Sequence, residues 1–283
     1  MSTNSKYEHL ASLPYVERQL VVVMPDEIVA AQRKAEDANS DKPIDWMGIA
    51  KNAGRLLLPS SGGLVGVAFV AATEAYAAWA RARANGVNAI QIKRSEASNF
   101  TFPPAHPRDG VLYVAHPSDS NVYYTVASFH RVTFEHKFAE AVDLLMDLGA
   151  TEIRVEHVRG WSSEFAATLS VPLQAGPVGA KAGVNCETET KLLFEASLPD
   201  NKSRTLPEKL VWYPHERTWQ SLAKGRLSHG LTKFSLTVNY EDDFGINAGL
   251  KVGATKAGLE LGGSFENHVA TSWRLDGIFA SEN

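Results

Sequence analysis

The chain has 283 residues, 44% hydrophobic and 21% charged, with 12 Phe, 8 Tyr and 6 Trp, a composition that excludes a wholly disordered chain and leaves one large domain or two ordinary ones. Its formal net charge of -4 carries no global electrostatic footprint for nucleic acid, so no nucleic-acid partner is expected. The single cysteine, Cys186, excludes an internal disulfide framework, and the polar opening Met1 to Tyr7 lacks the basic and apolar regions of a signal peptide, so a cytoplasmic soluble form is expected.

In chain order, Arg18 to Met24 is a short β-branched run that reads as a strand, and Pro25, Asp26 and Glu27 suit the first turn of a following helix. Ile44 to Leu58 again has helical spacing. Leu64 to Ala84 is the most apolar segment and rich in alanine. Its uncharged part is shorter than the roughly 18 residues expected of a spanning helix, which favours a buried core helix. Val87 to Lys93 is a strand candidate, the stretch Pro103 to Gly110 a loop, and Val111 to Ala115 another strand. A helix from about Ala127 to Leu148 closes at Gly149, and Thr151 to Val158 alternates as a strand.

After Trp161 glycine and threonine increase and period-two alternation takes over. Val178, Ala180, Ala182, Val184, Cys186 and the even positions to Leu198 are mostly apolar, while their neighbours are polar or glycine, with Leu193 the exception. Phe165 to Leu173 also alternates, and Gln174-Ala175-Gly176-Pro177 supplies a reversal. The pattern recurs at Phe234, Leu236, Val238, Tyr240, Phe244, Ile246, Ala248, Leu250, Val252 and Ala254, interrupted by Asp242. Thr255-Lys256-Ala257-Gly258 reads as a turn, and Leu259, Leu261, Phe265, Val269, Trp273, Leu275 and Phe279 share one face of the return run. Between the two hairpins, a helix is expected from Tyr213 to Leu227, ending at Gly230.

Chemistry-bearing motifs are weaker than this alternation. His106, His116, His130, His136 and His157 invite a metal centre, but His130 and His136 stand six apart, whereas two ligands on one helix face need a separation near three or four. No GxSxG elbow is present, and Cys186 falls on an apolar parity. Glu140, Asp143 and Asp147 share a helix face, ordinarily a solvated one. The glycines Gly245, Gly249, Gly253 and Gly258 precede no P-loop lysine. No catalytic residue, metal or cofactor is therefore nominated.

The expected fold is α+β. It is a mainly antiparallel twisted sheet with two long amphipathic β-hairpins in the C-terminal half and helices concentrated in the N-terminal half, forming one compact domain divided into a helix-rich 1–160 and a hairpin-rich 161–283. A membrane-spanning β-strand needs roughly 9 to 11 residues with one lipid-facing parity. The alternation supplies such lengths, so the expected function is membrane perforation by protomers that oligomerise, since one chain has too few strands to close a barrel. Candidate insertion residues are Val178, Ala180, Ala182, Val184, Phe244, Ile246, Ala248, Leu250, Val252, Leu259, Leu261 and Phe265. The partners expected are further copies of the chain and membrane lipid, with membrane association in the assembled form. This arrangement is similar to that of gasdermins and perforin-like proteins, which carry two amphipathic hairpins per protomer in a mixed α+β domain; no residue role is transferred from either. The alternatives are a soluble oligomeric scaffold or binding protein with long packed hairpins and, third, an enzyme of unknown chemistry.

Overall fold

The computed structural model describes residues 10–30, 64–161, 191–199 and 204–281. The chain divides into two compact units, one made of Met1–Phe129 with Gly245–Asn267, the other of His130–Phe244 with His268–Asn283. Where the sequence suggested a single domain changing character at residue 160, each unit here has its own sheet and helices, so both are α+β.

The first unit holds β1 (Leu20–Met24), helix α1 (Leu64–Ala84), β2 (Ile90–Lys93), β3 (Leu112–Ala115) and β4 (Tyr123–Thr125), with sheet order β2-β1-β3-β4. β1 runs parallel to β2 and antiparallel to β3, so this sheet is mixed. β1 and β3 are buried along their whole length, which is why both read as continuous apolar runs instead of alternating. The Tyr123 ring is buried, and loss of hydration pushes its phenol up to about 12. Among the described residues no helix is long and apolar enough to cross a membrane.

The second unit is helix α2 (Phe129–Asp147), β5 (Ala150–Arg159), β6 (Lys191–Ser197), helix α3 (Arg217–His229), β7 (Lys233–Tyr240) and β8 (Thr271–Phe279). Its sheet is antiparallel throughout, in the order β6-β5-β8-β7. Phe134, Phe138, Val142 and Leu145 of α2 share one core with Ile153 and Val155 of β5, Leu236 and Val238 of β7, and Trp273 and Leu275 of β8. Each such side chain contributes roughly 1.5–3 kcal/mol by leaving water. Two buried charges stitch this core to its loops. The Glu140 carboxylate accepts the backbone N–H groups of Val211, Trp212 and Tyr213, each at 2.8 Å. The Arg226 guanidinium donates to the carbonyls of Leu148, Leu231 and Ala280.

Two expectations change. Glu140 does not stand on a solvated face. Its neighbour Asp143 is exposed, though partial screening from water and the nearby Asp147 and Glu140 charges hold its carboxyl above the usual range. Finally, the run from Phe234 does not continue as one strand to Ala254. β7 ends at Tyr240, and Ala248–Ala257 is a helix, α4.

Candidate functional site

The candidate insertion residues after β7 lie on a segment, residues 241–270, that joins β7 to its antiparallel neighbour β8. The strand stops for local reasons. The Asp242 carboxylate accepts the N–H of Phe244 at 2.7 Å, turning the chain, and Phe244 (φ 51°) and Gly245 (φ 73°) follow in left-handed conformations that no strand accommodates. The Asn247 side chain then accepts the N–H groups of Gly249 and Leu250, capping α4. Gly258, at φ 92°, ends the helix in the left-handed conformation that glycine tolerates best.

Phe244, Ile246, Ala248, Leu250 and Val252 therefore do not line one face of a strand. Ile246 is buried, Phe244 and Leu250 are half-buried, and Ala248 and Val252 are exposed, Val252 to 46%. Of the helix itself only Ala254 and Ala257 are buried. A helix places side chains every 100°, so a period-two apolar set is scattered around it. Leu259 and Leu261 are buried on irregular backbone and Phe265 is half-buried; between the two leucines Glu260 bridges to Val111, accepting the Leu112 N–H and donating its own to the Gly110 carbonyl, and the Leu261 carbonyl accepts the Ala127 N–H. The Arg81 guanidinium of α1 donates to the Ala257 carbonyl at 3.0 Å, and the Lys251 ammonium lies 5.5 Å from the centre of the Phe265 ring. Val178, Ala180, Ala182 and Val184 lie outside the described residues, as does Cys186.

The sheet of the second unit gives both segments a common geometry. Lys191 of β6 stands opposite His157 of β5, His157 opposite Trp273 of β8, and Trp273 opposite Val238 of β7. This row marks one end of the sheet. The connection from β5 to β6 and the connection from β7 to β8 both leave beyond it, each about thirty residues long. Those connections hold the amphipathic runs 165–186 and 244–265.

Tyr240, the last residue of β7, anchors an aromatic clasp at that end. Its hydroxyl is 2.9 Å from the His130 Nδ1, and the rings of His130, His268, Trp161 and Phe244 lie with their centres 5.4 to 6.0 Å from its own. The His130 and His268 rings are 5.1 Å apart. The clasp is absent from the sequence reading because its members are far apart in the chain and share no spacing.

The other histidines are dispersed. His106 meets the Tyr113 hydroxyl, the His116 ring accepts the N–H groups of Ser118 and Asp119, the His136 ring accepts the Trp212 indole N–H, and His157 meets the Gly160 carbonyl. Among the described residues no three His, Cys, Asp or Glu side chains gather where they could hold a metal ion. Comparison with known proteins adds no relative: no family model, curated protein or solved structure matches the chain.

Proposed function

We propose that this protein perforates membranes, assembling from protomers whose two amphipathic segments enter the bilayer side by side. One observation carries the reading: both segments leave the same end of a four-stranded antiparallel sheet, each between a pair of hydrogen-bonded neighbours. Extended as hairpins, they would continue that sheet in one direction. Strands crossing a bilayer must satisfy every backbone N–H and C=O across their edges, and four adjacent strands per protomer do so once several protomers close a ring. The apolar parity would face lipid and the Gly, Asn, Lys and Glu parity would face water.

The runner-up, a soluble oligomeric scaffold, draws on β7, whose alternating Phe234, Leu236, Val238 and Tyr240 are all buried in the unit's own core. There the alternation serves ordinary packing. Residues 246–254 separate the two readings, because folding makes no use of their alternation.

The test is release of calcein from vesicles of phosphatidylethanolamine and phosphatidylglycerol, read beside thermal melting. The expected result is leakage by the wild-type chain with assemblies larger than the protomer on the vesicles. Leu250→Asn should lower leakage at least tenfold while moving the melting midpoint by only a few degrees, because lipid offers no water to the new amide. Absence of leakage and of vesicle binding by the wild-type chain would favour the scaffold.

A further inference from the structure

We infer that residues 241–270 carry a second fold, a hairpin that prolongs β7 and β8 in their existing register, and that α4 is its stored form. The inference rests on the pore reading and adds to it which residues pair and what must first come undone.

The register itself supplies the argument. Lys233 faces Ile278, Leu236 faces Leu275, Val238 faces Trp273 and Tyr240 faces Thr271, without a bulge. Stepping outward one residue on each arm, Ile246 meets Phe265, Leu250 meets Leu261, Val252 meets Leu259 and Ala254 meets Ala257. Directly opposed residues share a face, so these four apolar pairs lie side by side, whereas nearer β7 and β8 Phe244 falls opposite Asn267 and Val269 opposite Asp242. Lys251 meets Glu260 on the opposite face, and Gly249 and Gly253 meet Gly262 and Gly258. The register leaves Thr255-Lys256 as a two-residue connection, the commonest hairpin length. A slip of one residue would oppose apolar to polar positions along both arms. From Ile246 to Ala254 the arm has the roughly 9 residues that a tilted strand needs to cross the hydrocarbon.

The helix that stores these residues is weakly held. It is 10 residues long, below the ~12–15 at which isolated helices become even marginal in water, and it contains Gly249 and Gly253 in place of good helix formers. It buries two alanines and leaves Val252 exposed. Its attachment to the rest of the first unit includes the Arg81 bond to Ala257 and close packing of Gly253 on Val87, where a Cβ on the glycine would lie 3.1 Å from a Val87 methyl. Release of α4 itself forfeits two buried alanines; forming the hairpin also withdraws buried Ile246, Leu259 and Leu261, a loss that strand pairing and contact with lipid must offset.

The experiment ties α4 down. Val87→Cys with Gly253→Cys, made in a Cys186→Ser background, places two thiols within reach of a disulfide. On the same calcein-loaded vesicles the oxidised protein should leak at least tenfold more slowly than wild type, and reductant should restore the rate. A second pair, Lys251→Cys with Glu260→Cys, should cross-link on vesicles far more than in solution, while Lys251→Cys with Glu266→Cys should not. Full leakage by the oxidised tether, or equal cross-linking of both pairs, would overturn the inference and leave the pore reading standing. If the wild-type chain itself releases no dye, the pore reading falls first and the inference with it.

Discussion

β7 and the run that follows it have the same alternation of apolar and polar residues, yet one is a strand and the other a helix. In β7 every second residue is buried, whereas in residues 246–254 the same parity is divided between buried Ile246 and Ala254, half-buried Leu250 and exposed Ala248 and Val252. The difference lies in what each segment can pack against. β7 has β8 beside it and the α2 core on its inner face, while residues 246–254 meet a turn, a cap and helix α1. A period-two pattern is thus a statement about a surface that would suit it, and only β7 has that surface in this fold.

The largest expected effect sharpens this contrast directly. Val238→Asp buries an unpaired carboxylate in a fully enclosed position and should cost about 4 kcal/mol or more, abolishing the cooperative melt. Leu250→Asp, at the same parity twelve residues on, should cost about 1 kcal/mol or less in the melt because the site is half-open. Similar losses at both positions would mean that the helix is as firmly held as the strand, and the comparison would fail. Glu140→Ala comes next. It orphans three backbone N–H groups on the second unit and should cost about 3 kcal/mol by denaturant unfolding. If that unit is a platform from which the segments leave, protein that remains folded should leak dye at the wild-type rate. Smallest is Asn247→Ala, which removes the α4 cap at a cost of about 1 kcal/mol. Scanning calorimetry should show a slightly lower midpoint, and vesicle leakage should become faster, since the stored form is the one weakened. Slower leakage would indicate that α4 inserts as a helix.

Much of the element order was legible. Leu64–Ala84 is the helix its composition suggested, α2 lies within the expected span, and the strands at Leu20–Met24, Ile90–Lys93 and Leu112–Ala115 fall inside the apolar runs that announced them. The α4 helix was legible too, in a different signal. Asn247 and Gly258 stand where a cap and a left-handed terminator belong, but the alternation around them gave Asn247 no role and made Gly258 part of a hairpin turn. Glu140 was misread because a carboxylate on a helix face looks the same whether its partners are water or the backbone of a distant loop. The shared end of the two segments was not visible at all, since the pairing of β5 with β8 joins residues more than a hundred positions apart.

By itself, then, the sequence determined the local periods, the caps and the apolar parities, because these depend on neighbours along the chain. Tertiary structure decided which parity found a core, which residue of each buried pair became its partner, and that the two amphipathic segments leave one end of one sheet. Those outcomes depend on which strands lie side by side, and in this protein every such pairing in the second unit's sheet spans a long stretch of chain. The same alternation therefore yields a strand where a neighbouring strand and core receive it and a helix where a cap, a terminator and a nearby helix do.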